Sequence, residues 1–190
     1  MKTLTKIVAA LFMLTLMIGM CEAADNEIID NEEELAKVKR LAIYYPNYYH
    51  YEEYAGEPPD VNSFMKVLFD AGRVSKNTII SYDEMTDKIK MDYGIDMKVL
   101  SKIEARKVFK SHAYQYSDAY VVVTVANNSR VAMFFDVYAV NTNERLYSFQ
   151  VSGGKSNGDK TVRAYQTLAE QFYRAFDKAV QESAKNQNKK

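Results

Sequence analysis

Three β-type segments in a row occupy residues 119–152, and they restrict the fold more than any other feature of the chain. Residues 119–125 read AYVVVTV, a β-branched and almost wholly apolar run that is typical of a central strand. Residues 131–140 place apolar side chains at alternate positions, and residues 145–152 follow after a short polar turn. Together these segments predict a three-stranded antiparallel meander.

A long amphipathic helix is predicted after the meander, over residues 161–183. Its apolar side chains recur at helical spacing, so we expect one face of the helix to cover the sheet. These side chains are Val162, Tyr165, Leu168, Ala169, Phe172, Phe176 and Val180.

The half of the chain before the meander predicts strands and helices in alternation. Short apolar runs at residues 38–45 and 78–82 are typical of strands. Residues 60–72 predict a helix between an aspartate cap and a terminal glycine. Helical spacing also covers residues 83–91 and 97–112.

The order of these elements, β-α-β-α-β-β-β-α, predicts an α+β fold with one mixed sheet of about five strands and helices packed on one face. The length of the chain fits a single domain over residues 38–183. Residues 24–37 are acidic, so we expect a solvated linker, with a short helix as the alternative. The composition of residues 184–190 predicts a disordered tail.

Residues 1–23 resemble a bacterial secretory signal peptide. Lys2 and Lys6 form a basic start, and residues 7–20 are an uncharged stretch of 14 residues. This stretch is shorter than the roughly 20 apolar residues that span a membrane. We therefore predict Sec-type export and a cut after Ala23, which leads to an extracytoplasmic location in the periplasm or at the outer membrane. A retained membrane anchor and a buried helix are the alternatives.

Cys21 is the only cysteine in the chain, and the position of the cut decides its role. A cut after Ala23 leaves a mature chain without cysteine, which excludes disulfides, thiolate nucleophiles and cysteine-ligated metals. Alternatively, Ile18-Gly19-Met20-Cys21 resembles the lipobox of bacterial lipoproteins, although that pattern has Gly, Ala or Ser where Met20 stands. A lipid on Cys21 is then the expected attachment to the membrane.

The charge of the mature chain is nearly balanced. Without residues 1–23 the chain has 23 basic and 24 acidic residues. Nucleic-acid-binding proteins normally carry a basic patch, so this composition argues against nucleic acid as a partner.

Catalytic, metal and cofactor sites have little support in the sequence. The glycine-rich loop at residues 153–161 lacks the spacing of a phosphate-binding loop, because Asp159 intrudes before the Lys-Thr pair. His50 and His112 stand 62 positions apart without a recurring ligand spacing. We therefore expect no catalytic residues, no metal and no cofactor. An envelope hydrolase without a recognisable motif is the alternative.

Tyrosine is concentrated in residues 44–54, which read YYPNYYHYEEY. Six tyrosines in eleven residues exceed what a core needs, and nearby proline and glycine indicate a loop. Tyrosine offers a large contact area and a hydroxyl for hydrogen bonds. We expect Tyr48, Tyr49, Tyr51 and Tyr54 to contact a protein or glycan of the cell envelope, with a loop packed on itself as the alternative.

Three phrases of the sequence resemble a family of envelope proteins. They are residues 39–43, the strand SDAYVVVTV at residues 117–125 and the hairpin FDVYAVNTNERLYS at residues 135–148. Similar phrases occur in the small α/β domain of CsgG-like lipoproteins, the TolB amino-terminal domain and LpoB-like proteins. Those proteins have a glycine near the position of Thr124 and a hairpin glycine where Asn143 stands. The resemblance implies a non-enzymatic envelope module for binding or assembly, and it permits a homo-oligomeric structural subunit.

Overall fold

The computed structural model describes residues 26–50, 60–127, 131–153 and 162–189. These residues contain the strands β1 (Asn26–Ile29), β2 (Arg40–Ile43), β3 (Asn47–His50), β4 (Thr78–Ile80), β5 (Ala119–Asn127), β6 (Val131–Ala139) and β7 (Arg145–Gly153). The helices are α1 (Glu32–Leu35), α2 (Val61–Ala71), α3 (Tyr82–Tyr93), α4 (Lys102–His112) and α5 (Val162–Gln187), with 3-10 turns at Gly72–Val74, Met97–Val99 and Ala113–Gln115. Within these ranges no helix has the length and apolar character needed to cross a membrane.

One mixed sheet contains these seven strands, in the order β1-β7-β6-β5-β2-β4, with β3 also paired to β5. The strands β5, β6 and β7 form the predicted antiparallel meander, and β1 pairs antiparallel with β7. The strand β2 lies parallel to both β5 and β4, and β3 continues in parallel beside the second half of β5. The predicted α+β class with one mixed sheet is confirmed, and β1 and β3 are the two strands that the sequence did not predict.

Helices pack on both faces of the sheet, whereas the sequence predicted helices on one face. Val121, Val123 and Val125 of β5 belong to a larger core with α1, α2 and α5. Tyr120 and Val122 belong to a second core with α3 and α4. Successive strand residues point to opposite faces, so the continuous apolar run of β5 is buried on both sides. The one-face prediction was wrong because a strand that is apolar at nearly every position needs cover on both faces.

Residues 26–35 differ from the solvated linker that their composition predicts. The strand β1 pairs with β7, and the side chain of Asn31 caps α1 by accepting a hydrogen bond from the N–H of Glu34 at 3.1 Å. Leu35 is fully buried in the larger core. Acidic side chains are favourable in the first turn of a helix, and a strand can pair through its backbone without an apolar pattern. An acidic segment is therefore compatible with both elements.

The carboxyl-terminal helix is longer than predicted, because α5 continues to Gln187 into the expected disordered tail. Asn186 donates a hydrogen bond to Glu32 Oε1 at 2.7 Å. Gln187 donates one to the backbone carbonyl of Glu33 at 2.9 Å. These contacts with α1 give partners to polar side chains that composition alone assigns to solvent.

The predicted capped helix near residue 60 is present as α2. Asp60 caps it by accepting a hydrogen bond from the N–H of Ser63 at 3.0 Å, and Gly72 follows its last residue. The buried side chains of α2 are Phe64, Val67, Leu68 and Ala71. Tyr173 of α5 donates a hydrogen bond to the carbonyl of Leu68 at 3.1 Å, which fixes α2 against α5 on one face of the sheet.

Candidate functional site

A cleft opens beside the sheet where the parallel strands end. The strand β4 pairs with β2 only as far as Ala42 and Ile80, and the chain then enters α3 through Ser81. Among the described residues, no strand lies on the outer side of residues 44–47. Since α2 packs on one face and α3 and α4 on the other, they enclose a space of about 780 Å³. Ligands of α/β sheets bind in such crevices at the carboxyl ends of strands.

Three tyrosines form an aromatic wall of the cleft. Tyr44 is buried, and its ring meets Phe109 of α4 edge-on with 4.8 Å between the ring centroids. The ring of Tyr82 lies 6.1 Å from that of Tyr44 and 5.8 Å from that of Tyr45. Burial raises the pKa of the Tyr44 hydroxyl, and it raises the pKa of Tyr82 to about 12. Both hydroxyls therefore stay protonated at neutral pH and can donate hydrogen bonds.

Among the described residues, four cationic side chains and one carboxylate line the cleft. The cations are Lys66, Lys98, Lys102 and Arg106, and the carboxylate belongs to Asp83. Lys66 and Lys98 form salt bridges with nearby carboxylates. Lys102 and Arg106 form none with the carboxylates that the structure describes, and Lys102 Nζ lies 5.3 Å from the centre of the Tyr45 ring. These two cations, one helical turn apart on α4, supply positive charge without an ion-pair partner among the described carboxylates.

The apolar surface of the cleft continues onto its rim. Ile103 in the first turn of α4 lines the cleft and is 71% exposed. Val99, in the preceding 3-10 turn, is 79% exposed. Phe69 and Leu100 add apolar walls inside. Exposed apolar side chains near a concave site are a common mark of a binding surface.

Two helices begin at the cleft. Ser81 caps α3 by accepting a hydrogen bond from the N–H of Glu84 at 3.0 Å. Ser101 caps α4 by accepting one from the N–H of Glu104 at 3.3 Å, and the Glu104 carboxylate accepts one in return from the N–H of Ser101 at 3.1 Å. These caps fix the first turns of both helices at the cleft, and the amino ends of the helices add to its positive potential.

Tyr48 and Tyr49, the two described members of the predicted contact set, lie on opposite faces of the sheet. Tyr48 in β3 is half-buried against the larger core, and burial, together with a hydrogen bond to Tyr165, raises the pKa of its hydroxyl. Tyr49 points to the opposite face of the sheet and is 60% exposed. Tyr51 and Tyr54 lie outside the described residues. A contact role for Tyr49 stays a prediction.

Several other features of the sequence bear on the site only indirectly. Cys21 and the predicted signal peptide lie outside the described residues, as does most of the glycine-rich loop. The ring of His112 packs against Tyr93 with 4.0 Å between centroids. Within the described parts of the chain, no three His, Cys, Asp or Glu side chains are grouped so that they could hold a metal ion.

The cleft was not predicted from the sequence, although several of its residues occupy recognisable positions there. Lys102 and Arg106 are spaced by four residues within the predicted helix 97–112, and this spacing places them on one face. Tyr45 and Tyr82 are the last residues of the predicted strands 38–45 and 78–82. In the structure both tyrosines lie just after β2 and β4 end, at the carboxyl ends of these parallel strands.

No family model matches the sequence, and no curated protein matches it. Several solved structures are similar. A single-residue variant of the PelC dodecamer from Paraburkholderia phytofirmans has a TM-score of 0.50 and 10% identity, over 81% of this chain and 98% of that chain. The LpoB C-terminal domain from Escherichia coli has a TM-score of 0.44 and 12% identity, over 62% of this chain and 83% of that chain.

Lipoprotein GNA1162 from Neisseria meningitidis has a TM-score of 0.39 and 14% identity, over 65% of this chain and 84% of that chain. Sequence identity is low in each of these pairs. The similarity to PelC therefore concerns the fold alone, and the chain shares that mixed-sheet architecture.

Proposed function

We propose that the protein is a non-enzymatic extracytoplasmic module of the cell envelope that binds a partner or takes part in assembly. The observation that carries the proposal is the cleft, where tyrosine rings and the cations of Lys102 and Arg106 border a volume of about 780 Å³. Aromatic rings and arginine are enriched where proteins recognise their partners. The signal peptide predicted for residues 1–23 supports the extracytoplasmic location.

Photo-cross-linking in intact cells tests the proposal. A photoreactive amino acid in place of Ile103, which is 71% exposed at the rim, lies within reach of a bound partner. The same replacement at Lys178, whose side chain is 74% exposed on α5, is the control. We expect an adduct of defined mass in the envelope fraction for the first position and none for the second. Absence of an adduct at position 103, in cells that contain the protein, contradicts the proposal.

The amino terminus of the protein tests its export independently. A cut after Ala23 gives a chain that starts at Ala24, whereas lipidation gives a chain that starts at an acylated Cys21. Intact-mass spectrometry of protein from the envelope fraction distinguishes these two forms. An uncut chain confined to the cytoplasm contradicts an extracytoplasmic function.

A homo-oligomeric envelope subunit is the second candidate function, and the edge strand β1 favours it. In β1, Ile28 is 51% and Ile29 is 40% exposed, and the strand has a partner only on its β7 side among the described residues. A structure with a similar fold is that of a dodecamer. We expect the mass in solution to exceed that of a monomer, and to fall to it on Ile28→Lys, because a lysine on an edge strand opposes strand pairing. A wild-type monomer contradicts this candidate and leaves the first one standing.

A further inference from the structure

We infer that the cleft binds an extended, acidic segment of a protein partner, with two carboxylates at alternate positions beside an apolar side chain. The inference rests on the proposed function, because it names the chemical class of the partner at the same site. Its first support is charge. Lys102 and Arg106 have no carboxylate partner among the described residues, whereas Lys66 and Lys98 do. Negative charge on a partner would complement Lys102 and Arg106.

The spacing of the two cations favours an extended chain. Residues four apart on a helix have Cβ atoms about 5–6 Å apart. In an extended peptide, side chains on the same side are two residues apart, which is about 6.6 Å. A Glu-x-Glu or Asp-x-Asp pattern therefore matches Lys102 and Arg106 with one carboxylate each.

The backbone beside the cleft favours a peptide in the same way. The pairing of β2 with β4 ends at Ala42 and Ile80, and no described strand occupies the outer side of residues 44–47. Backbone N–H and C=O groups on a free edge can pair with an added strand. A peptide at this edge lies between α2 on one side and α4 with its cations on the other.

The apolar surface extends further than the cleft itself. Phe69 and Leu100 line the interior, Ile103 lies at the rim, and Val99 outside it is 79% exposed. A chain that enters the cleft covers all four side chains, whereas a small anion in the cleft leaves Val99 in water. A neutral glycan stacks on tyrosine rings but gives no partner to Lys102 and Arg106. An acidic protein segment fits the charge of the two cations, the spacing between them and the apolar side chains in and beside the cleft.

Selection from a random peptide library tests this inference. The purified protein, in the form to which cells process it, is used to select phage-displayed peptides of about ten residues. We expect the enriched peptides to carry two acidic residues at alternate positions and at least one apolar residue. Fluorescence anisotropy then measures the affinity of the most enriched peptide as a synthetic, labelled probe. Added salt is expected to weaken its binding.

Charge reversal in the cleft provides the matched comparison. The double variant Lys102→Glu/Arg106→Glu is expected to bind the probe at least about tenfold more weakly, because two attractions become repulsions. Lys107→Glu, on the same helix but outside the cleft lining, is expected to stay within about twofold of the wild type. Circular dichroism confirms that each variant is folded.

Enrichment of neutral or basic peptides, or no enrichment, overturns the inference. It is also overturned if the double variant binds as tightly as the wild type, or if Lys107→Glu weakens binding equally. Cross-linking at Ile103 distinguishes this failure from a failure of the proposed function. If that position captures a partner in cells while the library yields no acidic peptide, the function stands and the acidic class is wrong.

Discussion

The carboxylate of Asp177 in α5 accepts a hydrogen bond from the hydroxyl of Ser75 at 2.7 Å. It also accepts hydrogen bonds from the N–H of Lys76 at 2.6 Å and from Asn77 Nδ2 at 2.8 Å. Asp177 is only 6% exposed, and these three donors offset the cost of burying its charge. The cluster ties α5 to residues 75–77, the segment that leads into β4.

Asp177→Asn is expected to lower the free energy of unfolding by about 1–3 kcal/mol. The amide keeps one acceptor oxygen but places an NH₂ group against donors, so part of the buried cluster loses its partner. Urea denaturation measures the change. Lys178→Ala, one residue along and exposed, is the control and is expected to change stability by less than about 0.5 kcal/mol. Equal stability of Asp177→Asn and wild type would show that the negative charge and the second acceptor oxygen contribute nothing net.

Gly72 lies too close to Ile79 for a larger side chain to fit without movement. A Cβ atom at position 72 is 2.9 Å from Ile79 Cγ1. We expect Gly72→Ala to destabilise the protein by about 1–3 kcal/mol through overpacking. In an Ile79→Ala background the same change is expected to cost less, because both Cγ atoms are absent. A double-mutant cycle from urea denaturation measures this coupling, and strictly additive effects would contradict the steric explanation.

The elements that local patterns specify were predicted well. The meander and the long helix after it carry strong periodic signals, and their structure agrees with residues 119–152 and 161–183 in outline. Asn143 in the hairpin turn has a φ of 61°, in the left-handed region that asparagine tolerates better than most residues. The meander, the long helix and the hairpin turn depend on residues that are close in sequence, so local sequence patterns predict them.

The features that depend on distant contacts were not predicted. The strand β1 pairs Glu27 with Phe149, and no local pattern reveals that partner. The strand β3 was predicted as a loop because its tyrosines and the nearby proline are typical of one. The cleft exists because β4 stops at Ile80 while the chain beside it continues through Tyr44, and single-sequence patterns do not define where pairing stops. The spacing of Lys102 and Arg106 on one helix could be read from the sequence, but their position beside the ends of β2 and β4 could not.

Buried tyrosine hydroxyls are expected to make the protein less stable at alkaline pH. Burial raises the pKa of Tyr82 and of Tyr120 to about 12, from about 10 in an unfolded chain. Between these values the unfolded chain has lost the protons and the folded chain still holds them, so the free energy of unfolding falls as the pH rises from about 10 to 12. Tyr82→Phe removes one such group and is expected to flatten this fall. Urea denaturation across this range measures it, and an unchanged slope would contradict the assignment to Tyr82.

Substitution by serine is expected to lower the stability of the protein at Tyr48 but not at Tyr49. Tyr48→Ser removes a ring packed on the larger core and its hydrogen bond to Tyr165, so it should lower the free energy of unfolding by roughly 1–3 kcal/mol. Tyr49→Ser removes a ring that is 60% exposed, so stability should change by less than about 0.5 kcal/mol. If Tyr49 contacts a partner, Tyr49→Ser also reduces the yield of cross-linked partner in intact cells. An unchanged yield with a stable variant rules out Tyr49 as a partner contact. Tyr48 could not take over that role, because its ring faces the core.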